Sequence, residues 1–169
     1  MNEEGRSITA AIQRLDSLDP DERTRARETL EDIGRPATWH LVQALRPTGE
    51  RARAGALKVL GRLADPDAAD ALVERLEDED SGCRWLAAEG LVALGAVGLA
   101  RALDILAVYP RTDWLLRGAH HVLRGLEQTE LAELVAPVLR SFQSTTPGVD
   151  IPAAALAART RLATSIPQP

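Results

Sequence analysis

Apolar and polar positions follow a helical rhythm along this chain, and the rhythm repeats. Four six-residue phrases carry it: Thr29-Leu30-Glu31-Asp32-Ile33-Gly34, Ala56-Leu57-Lys58-Val59-Leu60-Gly61, Gly90-Leu91-Val92-Ala93-Leu94-Gly95 and Val122-Leu123-Arg124-Gly125-Leu126-Glu127. Their closing positions lie 27, 34 and 32 residues apart, the period of stacked helix pairs. Counting back from each closing position, three columns form one stripe per helix: Ile33, Leu60, Leu94 and Leu126; Leu30, Leu57, Leu91 and Leu123; Ala26, Arg53, Ala87 and Ala119. Such a stripe faces a core, and only Arg53 breaks it. The expected fold is all-α: a right-handed α-α superhelix, a short α-solenoid of about four helix pairs with terminal capping helices.

In chain order, Ile8, Ile12, Leu15 and Leu18 predict an N-terminal cap helix over 7–18 with Ser7 as its N-cap. Repeat 1 covers 19–46. Its first helix starts at Asp19-Pro20-Asp21-Glu22 and stops at Gly34. Pro36 opens the second, with Leu41 and Leu45 inward and Pro47-Thr48-Gly49 as its break. Repeat 2, 47–76, has a first helix over 51–60 stopped by Gly61 and a second begun by Asp65-Pro66, where Leu72 and Leu76 match Leu41 and Leu45. Repeat 3, 77–108, is capped by Asp80 or Ser81, with a second helix over 97–108 ended by Tyr109-Pro110. Repeat 4, 109–143, pairs 113–126 with 129–142, the latter kinked or held to an outer layer by Pro137. The stretch 144–169 is a linker and an Ala-rich C-terminal helix over 152–165. That helix has too few large apolar groups to stand alone. It is expected to dock through Leu156 and Leu162, on the end of repeat 4 in a monomer or on a second copy in a weak dimer.

Composition then narrows the partners. Apolar residues make up 45% of the chain but aromatics only 3%, so Leu, Ala, Val and Ile must build the core, which suits close-packed helices. The net charge is −5, with Lys58 the sole lysine among 20 basic residues. A nucleic-acid footprint needs a positive stripe that displaces counterions, so no nucleic acid is expected. Cys83 stands alone; a disulfide and a Cys-based zinc cluster are excluded, and a reducing, cytoplasmic setting is expected. The opening MNEEGRS is acidic and has no apolar signal core. Arg101 and Asp104 interrupt the longest apolar stretch, 91–109, so no membrane span is expected.

The recurring phrase, a small residue, Leu, two variable positions, an aliphatic residue and Gly, resembles the HEAT-repeat superfamily over about residues 19–140. Within it the short helices look most like the phycobilisome-lyase type. The resemblance implies a fold more than an activity, since members include scaffolds, chaperone-like lyase subunits, DNA-repair enzymes and iron-dependent hydroxylases. The hydroxylase branch implies His-Glu ligand pairs. Here His40 precedes Leu41, His120 precedes His121 and His121 precedes Val122, so the pair is missing. The DNA-repair branch implies a basic, aromatic-lined face, which this composition opposes. The expectation is a non-enzymatic scaffold or adaptor for a protein partner, with no cofactor. A chromophore or small-molecule lyase or chaperone-like subunit is the alternative.

Two surfaces could carry that role. On the first helices of repeats 3 and 4 the outward columns hold Trp85 and Glu89, then Arg117, His120, His121 and Arg124. Adjacent helices pack about 8–10 Å apart, so these residues form one patch with the composition of a binding hot spot. The structural alternative is that Trp85 is covered by a neighbouring helix or the C-terminal segment, with the histidines bonded at a helix junction. Chelation by His120 and His121 is disfavoured because helix neighbours point about 100° apart and neither has a ligand three or four residues away. Catalysis lacks a nucleophile, although Glu89 could orient a histidine. On the second helices, His40, Gln43, Glu74, Arg101 and Asp104 form a concave row that leans acidic. It is either a solvated face or a groove for a basic or Arg-containing segment. Arg23 and Arg84, each eleven before a closing Gly, are expected to pair with Asp19 and Asp80.

Overall fold

Aspartates start two of the long helices. In the computed structural model, which describes residues 3–46, 49–108 and 112–165, Asp19 accepts the Asp21 N–H at 2.9 Å and Asp80 accepts the Cys83 N–H at 2.7 Å. Each satisfies a donor that the first turn leaves without a partner. Pro47, Thr48, Tyr109 and Pro110, expected to break helices, lie outside the described residues. Among those described there are ten α-helices and two 3-10 turns, with no strand.

The first helices of the repeats are α2 (Pro20–Ile33), α4 (Glu50–Leu63), α6 (Ser81–Ala93) and α8 (Asp113–Leu126). They pack in series, α2 on α4, α4 on α6 and α6 on α8, as one layer, here the A layer. The second layer, B, contains α3 (Thr38–Ala44), α5 (Ala69–Arg75) and α7 (Ala96–Ala107). The 3-10 turns Arg35–Ala37 and Pro66–Ala68 lead into α3 and α5. The core lies between the layers. Leu30, Leu57, Leu91 and Leu123 are wholly buried, as are Leu41, Leu72, Leu99 and Leu103. Each such leucine contributes about 1.5–3 kcal/mol by leaving water. The layers approach closely at Gly98, where an added Cβ would stand 1.7 Å from the Leu91 carbonyl oxygen. No larger residue fits there.

At the amino end, α1 (Glu3–Arg14) packs on α2, α3 and α4. It begins four residues before Ser7, so Ser7 is inside the helix rather than its cap. Leu15 is buried, but Leu18 is 81% exposed, because the chain leaves the helix after Arg14 and the stripe no longer governs position 18.

Two further boundaries differ from expectation. Gly61 does not stop α4; the helix continues to Leu63, and Ala64 takes the left-handed turn at φ 46°. Gly61 instead marks a helix crossing, its added Cβ only 3.5 Å from Gly90 Cα. At the carboxyl end, α9 (Ala132–Ser141) contains Pro137, and α10 (Pro147–Ser165) starts five residues before the expected 152. A short connection makes the two a helical hairpin. Here α10 packs on both α7 and α9, so it takes the B-layer place beside α7 rather than lying over the end of repeat 4. Its buried residues are Ile151, Ala155, Ala158 and Leu162, whereas Leu156 is 62% exposed. Small alanines fill the buried side, and Leu156, one position past Ala155, is turned to solvent.

Two buried carboxylates connect successive repeats. Arg53, the break in the stripe, is itself buried and makes a bidentate pair with Asp78, Nε to Oδ2 and Nη2 to Oδ1 each 3.0 Å. Asp65 accepts Arg35 at 3.0 Å and Thr38 at 2.8 Å. Burial opposes ionisation of Asp65, but these bonds and the Asp67 N–H outweigh it and hold the carboxyl below its usual range. The guanidinium groups of Arg23 and Arg84 do not pair with the Asp19 and Asp80 carboxylates. They donate to backbone carbonyls of the preceding turn: Arg23 to Ser17 and Leu18 at 2.7 and 3.1 Å, Arg84 to Asp78 and Glu79 at 2.7 and 3.0 Å. The cap carboxylates are engaged by their own helices, which leaves the turn carbonyls as the free acceptors.

Candidate functional site

Trp85 projects from the outward side of α6, the position its column assigns. It is 54% exposed, covered neither by α10, which lies in the other layer, nor by a neighbouring helix. It forms a wall common to two adjoining clefts on the A face. One, of about 480 Å³, runs over α2, α4 and α6, with Arg27, Lys58, Arg62 and Glu89 on its rim and Gly61 and Gly90 at its floor. The other, of about 160 Å³, lies between α6 and α8, with Trp114, Arg117 and His121 around Ala88 and Gly118.

Packing explains these clefts. Small residues at the helix crossings let backbones approach and leave no side chain to fill the space above them. At Gly118 an added Cβ would stand 2.8 Å from Leu76 Cδ2. Around that floor, His121 Nε2 donates to Glu89 Oε1 at 2.6 Å, and its ring meets Trp85 edge-on with centroids 6.5 Å apart. Arg84, fixed by its two carbonyl bonds, lies with its guanidinium 3.8 Å above the Trp114 ring, a cation-π arrangement. Trp85, Glu89, Arg117 and His121 are thus brought together. His120 turns instead toward α9, its ring 4.7 Å from Phe142; burial, then Arg124 and His121, push it below its ordinary pKa. Arg124 pairs with Glu127 at 2.7 Å, one turn along.

A family model described as HEAT repeats matches residues 8–92 and, in an overlapping register, 38–124. The chain belongs to the HEAT-repeat family. HEAT repeats are generally protein-interaction scaffolds, and a surface with half-exposed tryptophans accords with that general role. No curated protein matches this HEAT-repeat chain. Among solved structures it is similar to the crystal structure of an engineered protein, a structural-genomics target, at 17% identity and a TM-score of 0.43, covering 96% of this chain and 80% of that chain.

The B-layer row of this HEAT-repeat protein is dispersed. His40 is half-buried with its ring against Trp39, centroids 4.9 Å apart, and Gln43 is exposed. Glu74 lines a cleft of about 190 Å³ between α3 and α5 with Asp70, Arg46 and Arg75. Arg101 pairs with Asp70 at 2.9 Å, and Asp104 accepts Arg159 of α10, also at 2.9 Å. The arginine that the acidic row suits therefore comes, at Asp104, from the chain's own last helix.

Column reading missed two residues. Trp114, 47% exposed, completes the second cleft, and Trp39, 65% exposed, stands on α3. Trp114 lies thirteen positions before the closing Glu127, outside the columns compared, although an aromatic beside a helix-starting Asp113 was a visible signal. Among the described residues no group of three His, Cys, Asp or Glu could hold a metal ion. Burial, then Asp78, pushes the Cys83 thiol up to about 11, so it is a thiol and a poor nucleophile at neutral pH. No described helix is long and apolar enough to cross a membrane.

Proposed function

We propose that this HEAT-repeat protein is a non-enzymatic interaction scaffold that engages a protein partner through the A-face clefts about Trp85. One observation carries the reading: Trp85 and Trp114, on adjacent helices, stand 54% and 47% exposed beside Arg84 and Arg117. Tryptophan and arginine are the side chains that dominate binding energy at protein interfaces. They are held here on rigid helices, so little ordering is needed on contact. The repeats supply that rigidity, and the small residues at the crossings supply recesses for a partner's side chains.

Capture by the tagged full chain, with the retained protein identified by mass spectrometry, tests the role. Trp85→Ala should abolish retention of that protein while costing about 1.5–2.5 kcal/mol of stability, half the penalty of a fully buried tryptophan. A loss of 4 kcal/mol or so would mean that Trp85 serves packing, and retention unchanged by Trp85→Ala would remove the clefts from the proposal. A chromophore-handling role, which the lyase-type resemblance implies, would instead appear as visible absorbance of the purified protein.

A further inference from the structure

The clefts beside Trp85 differ in charge from the molecule that bears them. The chain as a whole is −5, yet their linings carry five cations, Arg27, Lys58, Arg62, Arg84 and Arg117, against two carboxylates, Glu31 and Glu89. Both carboxylates are engaged, Glu31 by Arg62 and Glu89 by His121, each at 2.6 Å. Lys58 and Arg117 are exposed, and among the described residues no carboxylate pairs with either. The groove thus offers two free positive charges, one on each side of an exposed indole.

Their spacing describes a ligand. Lys58 is on α4, Trp85 on α6 and Arg117 on α8. With neighbouring helices about 8–10 Å apart, the helices that carry the two cations stand about 16–20 Å apart across the groove. Six residues of extended chain cover that distance at about 3.3 Å each. We infer that the A-face groove binds an acidic linear segment of a partner protein, with an apolar side chain against Trp85 and Trp114 and carboxylates on Lys58 and Arg117. The assignment rests on the interaction-scaffold reading and adds the partner's chemistry to it. Arg117 can take a carboxylate through two parallel bonds. A basic segment meets like charge here, and a nucleic acid meets too few cations within the field of an acidic protein. The B-layer row, by contrast, is acidic, and Asp104 in it already holds Arg159.

Three fluorescein-labelled, end-blocked hexapeptides decide the matter by anisotropy against the full chain: acidic DEFDEL, neutral NQFNQL and basic KRFKRL. The acidic peptide should bind about tenfold or more tightly than the neutral one at low salt, with the preference shrinking at about 0.2 M salt. Lys58→Glu with Arg117→Glu, both at exposed positions, should erase the preference and transfer it to KRFKRL, with the circular dichroism spectrum unchanged. Trp85→Ala should weaken the acidic and neutral peptides alike. Equal or tighter binding of the neutral or basic peptide by the unaltered chain overturns the acidic assignment, as does binding of none of the three. In both cases the scaffold reading stands or falls separately, on Trp85-dependent capture. Tighter binding of a labelled oligothymidylate than of DEFDEL overturns the protein-segment assignment.

Discussion

Arg53→Met should be the most damaging single change at a charged position among the described residues. The Arg53 and Asp78 side chains are 10% and 2% exposed and joined by two bonds of 3.0 Å. Methionine keeps most of the stem's volume and removes the charge. Asp78 is then left buried with the Asp80 N–H at 3.0 Å and Arg75 Nη1 at 3.6 Å. Removing one partner of a buried pair costs about 3–5 kcal/mol, because the other charge stays out of water uncompensated. Residual support from Arg75 places the expectation near the lower bound, about 3 kcal/mol. For a chain of this size that lowers Tm by about 6–12 °C. Urea unfolding followed by circular dichroism measures it. Asp78→Asn supplies the second edge of a double-mutant cycle, and the double variant should be less unstable than the sum of the singles by about 2 kcal/mol. Additive losses, or a cost under 1 kcal/mol for Arg53→Met, would show that the pair is not what joins repeats 2 and 3.

Two other outcomes follow from the carboxyl-terminal half. Truncation after Gln143 strips Ile151, Ala155, Ala158 and Leu162 from α7 and α9; at about 2 kcal/mol for each large residue, Tm should fall by about 10 °C or more with no change in the number of chains per particle in light scattering, whereas a dimer becoming a monomer would show that the helix is exchanged between chains. Because burial against α9 lowers the His120 pKa, the unfolded chain takes up that proton more readily: stability is full above about pH 6.5 and declines as pH falls through it. His120→Gln should flatten the slope of Tm between about pH 7 and pH 5, and an unaltered slope would refute the link.

Much of the fold was legible because a solenoid's core is written locally. The columns through Ile33, Leu30 and Ala26 repeat along the chain, and all their members but Ile33 and the polar Arg53 belong to the buried apolar core. Failures fall where a residue's role is set by a neighbour distant in sequence. Gly61 has the look of a stop, yet its purpose is to let α4 pass Gly90 on α6. Leu156 is the largest apolar group in the middle of α10, but the side of that helix turned to α7 and α9 is the one that carries Ala155 and Ala158. Arg53 reads as a flaw in a stripe until Asp78, twenty-five residues on, is seen to meet it.

The site was legible to the same limit. Helical spacing places Trp85, Glu89, Arg117 and His121 on one face, and contact between α6 and α8 brings them together. Spacing cannot say which of two adjacent histidines faces Glu89 and which faces Phe142, since that depends on where α9 lies. Nor can net charge reveal a positive groove on an acidic chain: Glu31 counts against any cation in the sum, but in space it neutralises only Arg62, and the Glu89 carboxylate is held in a hydrogen bond with His121. Lys58 and Arg117 are left as free charge on either side of Trp85. A partner responds to that local field within about a Debye length, roughly 8 Å at physiological salt, which is why an acidic protein can present a cationic face.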